Sequence, residues 1–367
     1  MTEATATKTP TAPDLFAHMV KIGASDLHLG VGTPPAVRID GKVRRIPGVE
    51  PLTEEQTRDY ARCLMTDEQA ARFAKKRDID FAYSIPGLGR FRVNAMSRRG
   101  STALVARHIP HEIPSPAQLG LPAVCRHLAT RARGLVLVTG PTGSGKTTSL
   151  AAILDFVNST HEGHILTLED PIEFLHRAKR CIVTQRQVGD DTDTFADGLR
   201  AGLRQDPDVI MIGEMRDLET IQLAITAAET GHLVFGTLHT TSAIATVDRI
   251  IDVFPPERQQ QVRMQLAGSL QGVLSQCLLP RIGGGRVGAH EVLVATDAVR
   301  AQIREGKTSQ ILSSMQTSRN TGTKTLEEAL VELVKGGLVE LEDAVRVANR
   351  PDAVQRSVAG QAEPGAD

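Results

Sequence analysis

Few aromatic residues and no excess of either charge characterise this sequence. Of its 367 residues none is tryptophan, two are tyrosine and nine are phenylalanine, so few side chains could stack on single-stranded bases. The 42 Lys and Arg residues are balanced by 43 Asp and Glu residues, which leaves a net charge of −1. A chain without a basic excess creates no field that attracts a polyanion. These two absences argue against a protein that binds nucleic acid.

Cysteines and long apolar runs are also scarce. Four cysteines lie far apart, with no C-x-x-C pair, at Cys63, Cys125, Cys181 and Cys277. This spacing argues against a structural zinc site or a disulfide framework and predicts reduced thiols. No run approaches the roughly 18 apolar residues that span a bilayer, and the N-terminal residues lack the apolar stretch of a signal peptide. The sequence therefore predicts a cytoplasmic protein with no direct membrane insertion.

Composition and hydrophobic spacing divide the chain into segments. Before residue 111, strand-like runs and a helical pattern over 53–73 predict a small α+β domain. Four prolines and one glycine within 15 residues then indicate a linker. Beyond it, apolar strand-like runs alternate with helical segments, which predicts an α/β fold with a largely parallel sheet covered on both faces. A capping box at Thr325 begins a helical pattern near the end. The predicted order is a disordered tail (1–13), the α+β domain (14–111), the linker (112–122), the α/β core (123–295), a small helical domain (296–348) and a second disordered tail (349–367).

A phosphate-binding loop opens the α/β core. The segment 140–147 fits the pattern G-x-x-x-x-G-K-[ST], between a strand-like run at 135–139 and a helical run. In such a loop the backbone N–H groups surround the phosphates, Lys146 would reach the β- and γ-oxygens, and the Thr147 hydroxyl would bind Mg²⁺. The sequence therefore predicts ATP and Mg²⁺ as cofactors. The predicted nucleotide-binding residues are Gly140, Pro141, Thr142, Gly143, Ser144, Gly145, Lys146, Thr147 and Thr148.

Acidic residues follow two other apolar strand-like runs of the core. Glu214 comes after the run 209–213, and Glu169 and Asp170 come after the run 165–168, with Glu173 nearby. Open α/β sheets bind their ligands at the carboxyl ends of the strands. We interpret Glu214 as the group that orients or deprotonates the attacking water, and the Glu169–Asp170 pair as helping to hold hydrated Mg²⁺. The alternative is that these acids are exposed and cap the next helix.

Two histidines lie beside the third strand-like run of this core, in the segment GHLVFGTLHTT. His239 or His232 could sense the γ-phosphate from the end of that strand. A structural role is equally compatible with their spacing.

A predicted hairpin in the N-terminal domain brings arginines together. The segments 90–95 and 103–107 flank a polar turn at 97–102, and a two-residue loop there makes the numbers of opposite residues sum to 199. Arg92 then faces Arg107, with Arg90 two residues along on the same face. Like charges opposite each other destabilise a sheet. The arginines are either fingers on an ATP phosphate, in a neighbouring subunit, or a solvated basic face in a different register.

These segments together resemble the PilT family, the retraction ATPases of type IV pili within the wider secretion ATPases. The resemblance rests on SDLHL, GLVLVTGPTGSGKTTSLAA, ILTLEDPIEF, DPDVIMIGEMRDLETIQLAITAAETGHLVFGTLHTTSA and RIIDVFPPE, and spans about residues 14–350. It implies a PAS-like N-terminal domain, a RecA-like core and a homohexameric ring with ATP at the seam between domains and subunits. The resemblance also implies roles for single residues. Glu169, Asp170 and Glu173 would belong to the family's Asp box, and Glu214 to its Walker B segment. His232 and His239 would belong to its His box, and Arg92 and Arg107 would be its arginine fingers.

The resemblance favours retraction over pilus assembly or type II secretion. Relatives that serve the latter two usually carry an extra N-terminal domain and a four-cysteine zinc motif, which this sequence lacks. The family's retraction motif AIRNLIRE corresponds to 298–305, with five of eight positions kept. Arg300 and Arg304 there are interpreted either as a face that transmits ring motion to a partner or as solvated arginines on a packing helix. The implied partner is the inner-membrane platform protein of the pilus machine, with the motor peripheral at the cytoplasmic side. A pilus-assembly or type II secretion ATPase and, more distantly, a RecA-like nucleic-acid motor stay as alternatives.

Overall fold

The computed structural model describes residues 10–39, 41–109 and 112–360, and they form two compact units. The N-terminal unit comprises residues up to Glu112 together with Glu173–Leu175. The second unit comprises Ile113–Ile172 and the chain from His176 onward. Among the described residues, no helix is long and apolar enough to cross a membrane.

The N-terminal unit is an α+β sandwich of one sheet and three helices. Its elements are α1 (Ala12–Lys21), β1 (Asp26–Leu29), β2 (Ala36–Ile39), β3 (Lys42–Arg45), α2 (Glu54–Leu64), α3 (Asp67–Lys76), β4 (Asp78–Ile85), β5 (Gly89–Arg98) and β6 (Ser101–Ile109). The strand order is β3-β2-β1-β6-β5-β4, and every pairing is antiparallel. The apolar face of this sheet packs on α1 and α2, whose buried side chains include Phe16 and Tyr60.

Two expectations for this unit are corrected at helix ends. The predicted helical pattern over 53–73 is two helices, because Thr66 caps a new one: its hydroxyl accepts from the Gln69 backbone while the Gln69 side chain accepts from the Thr66 N–H. The predicted disordered tail 1–13 ends earlier than expected, because Thr11 and Asp14 form the same reciprocal box and start α1 at Ala12. Residues 1–9 lie outside the described residues.

The second unit is built on a seven-stranded sheet. Its elements are α4 (Val124–Ala129), β7 (Gly134–Thr139), α5 (Lys146–Thr160), β8 (Gly163–Glu169), β9 (Cys181–Gln187), α6 (Phe195–Gly202), β10 (Val209–Ile212), α7 (Leu218–Glu229), β11 (Leu233–Leu238), α8 (Ala243–Asp252), α9 (Pro256–Ser269), β12 (Leu270–Pro280), β13 (Arg286–Val294), α10 (Asp297–Arg304), α11 (Ile311–Thr317), α12 (Leu326–Lys335), α13 (Leu341–Val347) and α14 (Pro351–Val358). Two short 3₁₀ turns lie at Thr308–Gln310 and Arg319–Thr321.

The sheet order β13-β12-β7-β11-β10-β8-β9 determines where the predicted site can lie. All neighbouring strands are parallel except β13, which pairs antiparallel with β12. Every residue of β7, β10 and β11 is buried, because helices cover both faces of the sheet. The largely parallel, doubly covered sheet is therefore confirmed. The carboxyl ends of β7, β11, β10 and β8 meet at one edge.

The C-terminal helices belong to the second unit rather than to a separate domain. Helices α10 and α11 pack into the main core of the sheet, whereas α12, α13 and α14 form a cluster of their own against β12 and β13. The predicted capping box at Thr325 is confirmed. The predicted disorder of 349–367 is wrong for Pro351–Val358, which is helical because Val354 is fully buried in that cluster. Residues 361–367 lie outside the described residues.

Glu291 of β13 joins two of these helices. Its carboxylate is 6% exposed and accepts hydrogen bonds from the backbone N–H groups of Ala243, at the start of α8, and of Leu326, at the start of α12. Burial raises the pKa of this carboxyl to about 7, although the two N–H donors act in the opposite direction. One buried acid thus caps two helices that are far apart in the sequence.

Candidate nucleotide site

The loop 140–145 links β7 to α5 in the conformation that the motif predicts. Gly140, Gly143 and Gly145 have φ angles of 142°, 79° and 89°, which L side chains rarely adopt. A Cβ on Gly140 would also lie 2.2 Å from the carbonyl oxygen of Gln276 on β12. The glycines are therefore required by backbone conformation and by close packing, as expected for a loop whose N–H groups turn inward.

Lys146 lies at the first position of α5 and folds back over the loop. Its Nζ donates to the carbonyl oxygens of Gly140 at 2.7 Å and Pro141 at 3.2 Å. Thr147 and Thr148 follow in the first helical turn and are half-buried. The N-terminus of α5 adds its positive dipole end, so loop, ammonium and helix all favour an anion at this position.

Glu214 follows β10 at the same edge of the sheet and is 18% exposed. Backbone bonds from Gly213 to Leu168 of β8 and from Met215 to Thr237 of β11 hold the segment on both sides. Its Oε1 atom accepts from the Arg216 Nε and lies 2.8 Å from the His239 Nε2. Glu214 is therefore a half-buried carboxylate held between two nitrogen donors.

The charge of Glu214 follows from these neighbours. Burial alone raises the pKa of its carboxyl, but the Arg216 guanidinium and the His239 imidazole outweigh burial and lower it below the usual value. The same contact with Glu214 raises the pKa of Arg216. Glu214 is thus ionised at neutral pH, as a group that accepts a proton or orients a water must be.

Glu169 and Asp170 differ sharply although they are adjacent. Glu169 is 5% exposed, and its Oε1 accepts from the Thr167 hydroxyl at 2.7 Å and the Gln185 amide at 2.9 Å. Asp170 is exposed and close enough to Arg216 to raise its pKa. Of the two, Asp170 is the carboxylate that can reach a hydrated cation.

The residues at this edge fit Mg²⁺ brought in with phosphates. No cluster of three or more His, Cys, Asp or Glu side chains that could hold a metal ion occurs in the described part of the chain. Mg²⁺ commonly uses one or two protein oxygens plus substrate phosphates and waters. The half-buried Thr147 hydroxyl and the exposed Asp170 carboxylate are oxygen ligands of that kind.

The two histidines lie at opposite ends of β11. His239 follows its last residue and contacts Glu214. His232 precedes its first residue, beside Gly134 at the start of β7, and its Nδ1 lies 3.0 Å from the Ala227 carbonyl oxygen. Six strand residues separate them, which is about 20 Å. The interpretation that His232 senses the γ-phosphate of its own chain is therefore wrong, because the extended strand β11 places His232 at the opposite edge of the sheet from the phosphate loop.

In the N-terminal unit, the predicted arginine register is confirmed. β5 and β6 pair so that Arg92 lies opposite Arg107 and Arg90 lies opposite Ile109. The Arg90 Nη1 atom donates to the Ser84 hydroxyl on β4 at 3.4 Å.

Carboxylates, which neither sequence interpretation included, lie beside this arginine pair. The Arg107 Nε donates to Asp26 of β1 at 2.9 Å, and Asp26 is 5% exposed. The Arg92 Nε lies 3.5 Å from Asp80 of β4, and its Nη1 lies 3.6 Å from Glu173. The repulsion between the arginines is thus offset within the chain, so an anion is not needed to explain the pair. The signal that could have found Asp80 is its position two residues before Ala82, the partner of Arg92 on β4, because residues two apart in a strand lie on the same face.

Known proteins match nearly the whole chain. A family model described as type II/IV secretion system protein matches residues 14–284. The type IV pilus retraction ATPase PilT of Pseudomonas aeruginosa is 51% identical over 339 residues, which are 92% of this chain and 98% of that protein. The type IV pilus ATPase PilU of the same organism is 41% identical and covers 96% of this chain and 92% of its own length. A crystal structure of the pilus retraction motor PilT with bound ADP has a TM-score of 0.89 and 48% identity, covering 95% of this chain and 99% of the other.

Proposed function

This chain belongs to the type II/IV secretion system protein family, and we propose that it is a Mg²⁺-dependent ATPase that powers the retraction of type IV pili. The observation that carries the proposal is the contact of Glu214 with His239 at the sheet edge where the phosphate loop lies. Similarity to a pilus retraction ATPase over 92% of the chain supports the biological process.

Each side chain of the nucleotide site has a chemical task in this proposal. The loop N–H groups and Lys146 bind the phosphates, while Thr147 and Asp170 hold Mg²⁺, which supplies charge neutralisation when bound. Glu214 accepts a hydrogen bond from the attacking water and takes up its proton, and His239 and Arg216 keep that carboxylate ionised and oriented. Catalysis then comes from positioning and electrostatics, without a covalent intermediate.

Glu169 has a supporting task rather than a catalytic one in this proposal. One of its oxygens already accepts two hydrogen bonds, from Thr167 and Gln185. It anchors the end of β8, next to the segment that carries Glu214. Asp170 alone then serves the hydrated cation from this strand.

The arginines act in a ring of six identical subunits in this proposal. Arg92 and Arg107 would approach the γ-phosphate of a neighbouring subunit, after exchanging their partners Asp80, Glu173 and Asp26 for the nucleotide. The N-terminal unit would have the PAS-like arrangement that the family resemblance implies. The ring would work at the cytoplasmic side of the inner membrane, against the platform protein of the pilus machine. The higher identity to PilT than to PilU favours a PilT-like part in retraction.

A deletion strain tests the process, and a point variant tests its chemistry. Deleting the gene should leave cells with excess surface pili that do not twitch, and the wild-type gene should restore both properties. A gene carrying Glu214→Gln should restore neither, although its product should still bind ATP. Loss of pili in the deletion strain would instead support an assembly motor. A several-fold stimulation of the purified ATPase by DNA or RNA would support a nucleic-acid motor.

A further inference from the structure

A buried amide on a distant strand supports the phosphate loop from inside the molecule. Gln276 of β12 is 4% exposed, and its Nε2 donates to the carbonyl oxygen of Ser144 at 2.6 Å. The two residues are 132 positions apart in the sequence. We propose that Gln276 is a positioning residue that holds the loop in its phosphate-binding conformation, a role that rests on the nucleotide binding proposed above.

The backbone brings Gln276 to the loop. Strand β12 runs parallel to β7, and their last paired residues are Ser275 and Thr139. Gln276 and Gly140 come next on each strand, and the Gln276 carbonyl oxygen lies 2.2 Å from the point where a Cβ of Gly140 would be. The Gln276 Nε2 lies 3.2 Å from the corresponding point at Gly145. Gln276 therefore contacts the loop at its first and last glycines.

The hydrogen bond to Ser144 determines the direction of a peptide group. The carbonyl of Ser144 and the N–H of Gly145 belong to one planar trans peptide unit, in which they point in opposite directions. Because Gln276 holds the carbonyl towards β12, the N–H of Gly145 points away from β12. In the proposed binding conformation this is the concave side of the loop, where the N–H groups that turn inward meet the phosphates. Loss of the amide would let this peptide rotate and would weaken the nest of donors.

The unpaired atoms around this bond argue against a packing role. The Gln276 Oε1 and the Ser144 Oγ are both buried and have no hydrogen-bond partner among the described residues. A buried polar atom without a partner is unfavourable, so a side chain that only fills space would be better replaced by an apolar one. The amide is compatible with this position because its N–H donor is needed by the Ser144 carbonyl.

A methionine variant tests the role, because methionine matches the length of glutamine and cannot donate. The matched control is Gln271→Met on the same strand, where the Nε2 donates to the Arg133 carbonyl at 3.2 Å, outside the loop. We expect Gln276→Met to weaken the binding of fluorescent ADP about tenfold and to raise KM for ATP by a similar factor. The kcat should change little, because Glu214 and His239 lie on other strands. Gln271→Met should bind ADP like the wild type, with a similar or smaller fall in melting temperature.

A second variant covers the case in which the methionine protein does not fold. In Gln276→Glu the carboxylate cannot donate at high pH, but its protonated form can donate to Ser144 at low pH. The ratio of its ADP affinity to that of the wild type should therefore rise as the pH falls from 8 to 6, which a merely structural role would not produce.

The outcomes separate the two proposals. Wild-type protein that does not bind ADP would overturn the proposed function, and the role of Gln276 with it. Wild-type protein that binds ADP, together with unchanged binding by Gln276→Met or a flat pH ratio in Gln276→Glu, would overturn the role of Gln276 alone. Lys146→Ala provides the reference for lost nucleotide binding.

Discussion

Replacing Arg300 with alanine should destabilise the second unit, because this side chain caps a neighbouring helix. Its Nη1 donates to the Ala267 carbonyl at 2.6 Å and the Gly268 carbonyl at 3.1 Å, at the end of α9, and its Nε donates to the Ala295 carbonyl at 3.0 Å. A hydrogen bond from a charged group contributes about 1.5–3 kcal/mol when its loss leaves a buried partner. Water can reach part of this half-buried site, so we expect a loss of about 2–4 kcal/mol.

The measurement is urea unfolding of the wild type, Arg300→Ala and a matched control. Arg304→Ala is that control, because Arg304 is exposed on the same helix and surface substitutions usually change stability by less than about 0.5 kcal/mol. Arg300→Ala should shift the unfolding midpoint to clearly lower urea, and Arg304→Ala should not. Equal midpoints for Arg300→Ala and the wild type would refute the capping argument.

This cap changes how the motif at 298–305 should be tested. Both sequence interpretations treated Arg300 and Arg304 as a pair that points away from the chain, but Arg300 contacts its own chain. A double substitution would therefore confuse lost stability with a lost partner contact. If Arg304 transmits motion to a partner, Arg304→Ala alone should abolish twitching while folding and ATPase activity stay intact.

Three further predictions concern catalysis and pH. Glu214→Gln keeps the size of the side chain but cannot take up a proton, so ATP should bind and persist, and phosphate release at the wild-type rate would show that Glu214 is not the base. Arg92→Ala and Arg107→Ala should each lower the turnover rate by a factor of about 10³–10⁵. Mixing either variant with Lys146→Ala should restore part of the activity, because some seams of a mixed ring would then be complete. If the mixture showed only the sum of the activities of the separate proteins, the arginines would not act as fingers between subunits. Because the pKa of Glu291 is raised to about 7 in the fold, the native state binds its proton more tightly than the unfolded state. This group therefore makes the free energy of unfolding fall by about 3 kcal/mol as the pH rises from about 5 to 8. Glu291→Gln should remove that fall, which urea unfolding at each pH measures. If the free energy of unfolding changed with pH equally in both proteins, the prediction would be contradicted.

Features that depend on neighbouring residues could be predicted from the sequence. The phosphate loop follows from glycine spacing between a strand and a helix, and the parallel sheet follows from apolar runs alternating with helical patterns. The register of Arg92 against Arg107 follows from the two-residue period of strands and a short turn. Each of these patterns is local, because backbone geometry repeats over a few residues.

Features that depend on distant contacts were decided by the tertiary structure. His232 and His239 look alike in the sequence, yet a parallel strand carries them to opposite edges of the sheet. Arg300 looks like an exposed arginine until α9 brings two carbonyl groups within its reach, in addition to the local carbonyl group of Ala295. Gln276 meets Ser144 across 132 residues because β12 inserts next to β7. A buried polar group must find its partner wherever the packed chain provides one, and no local pattern records that choice.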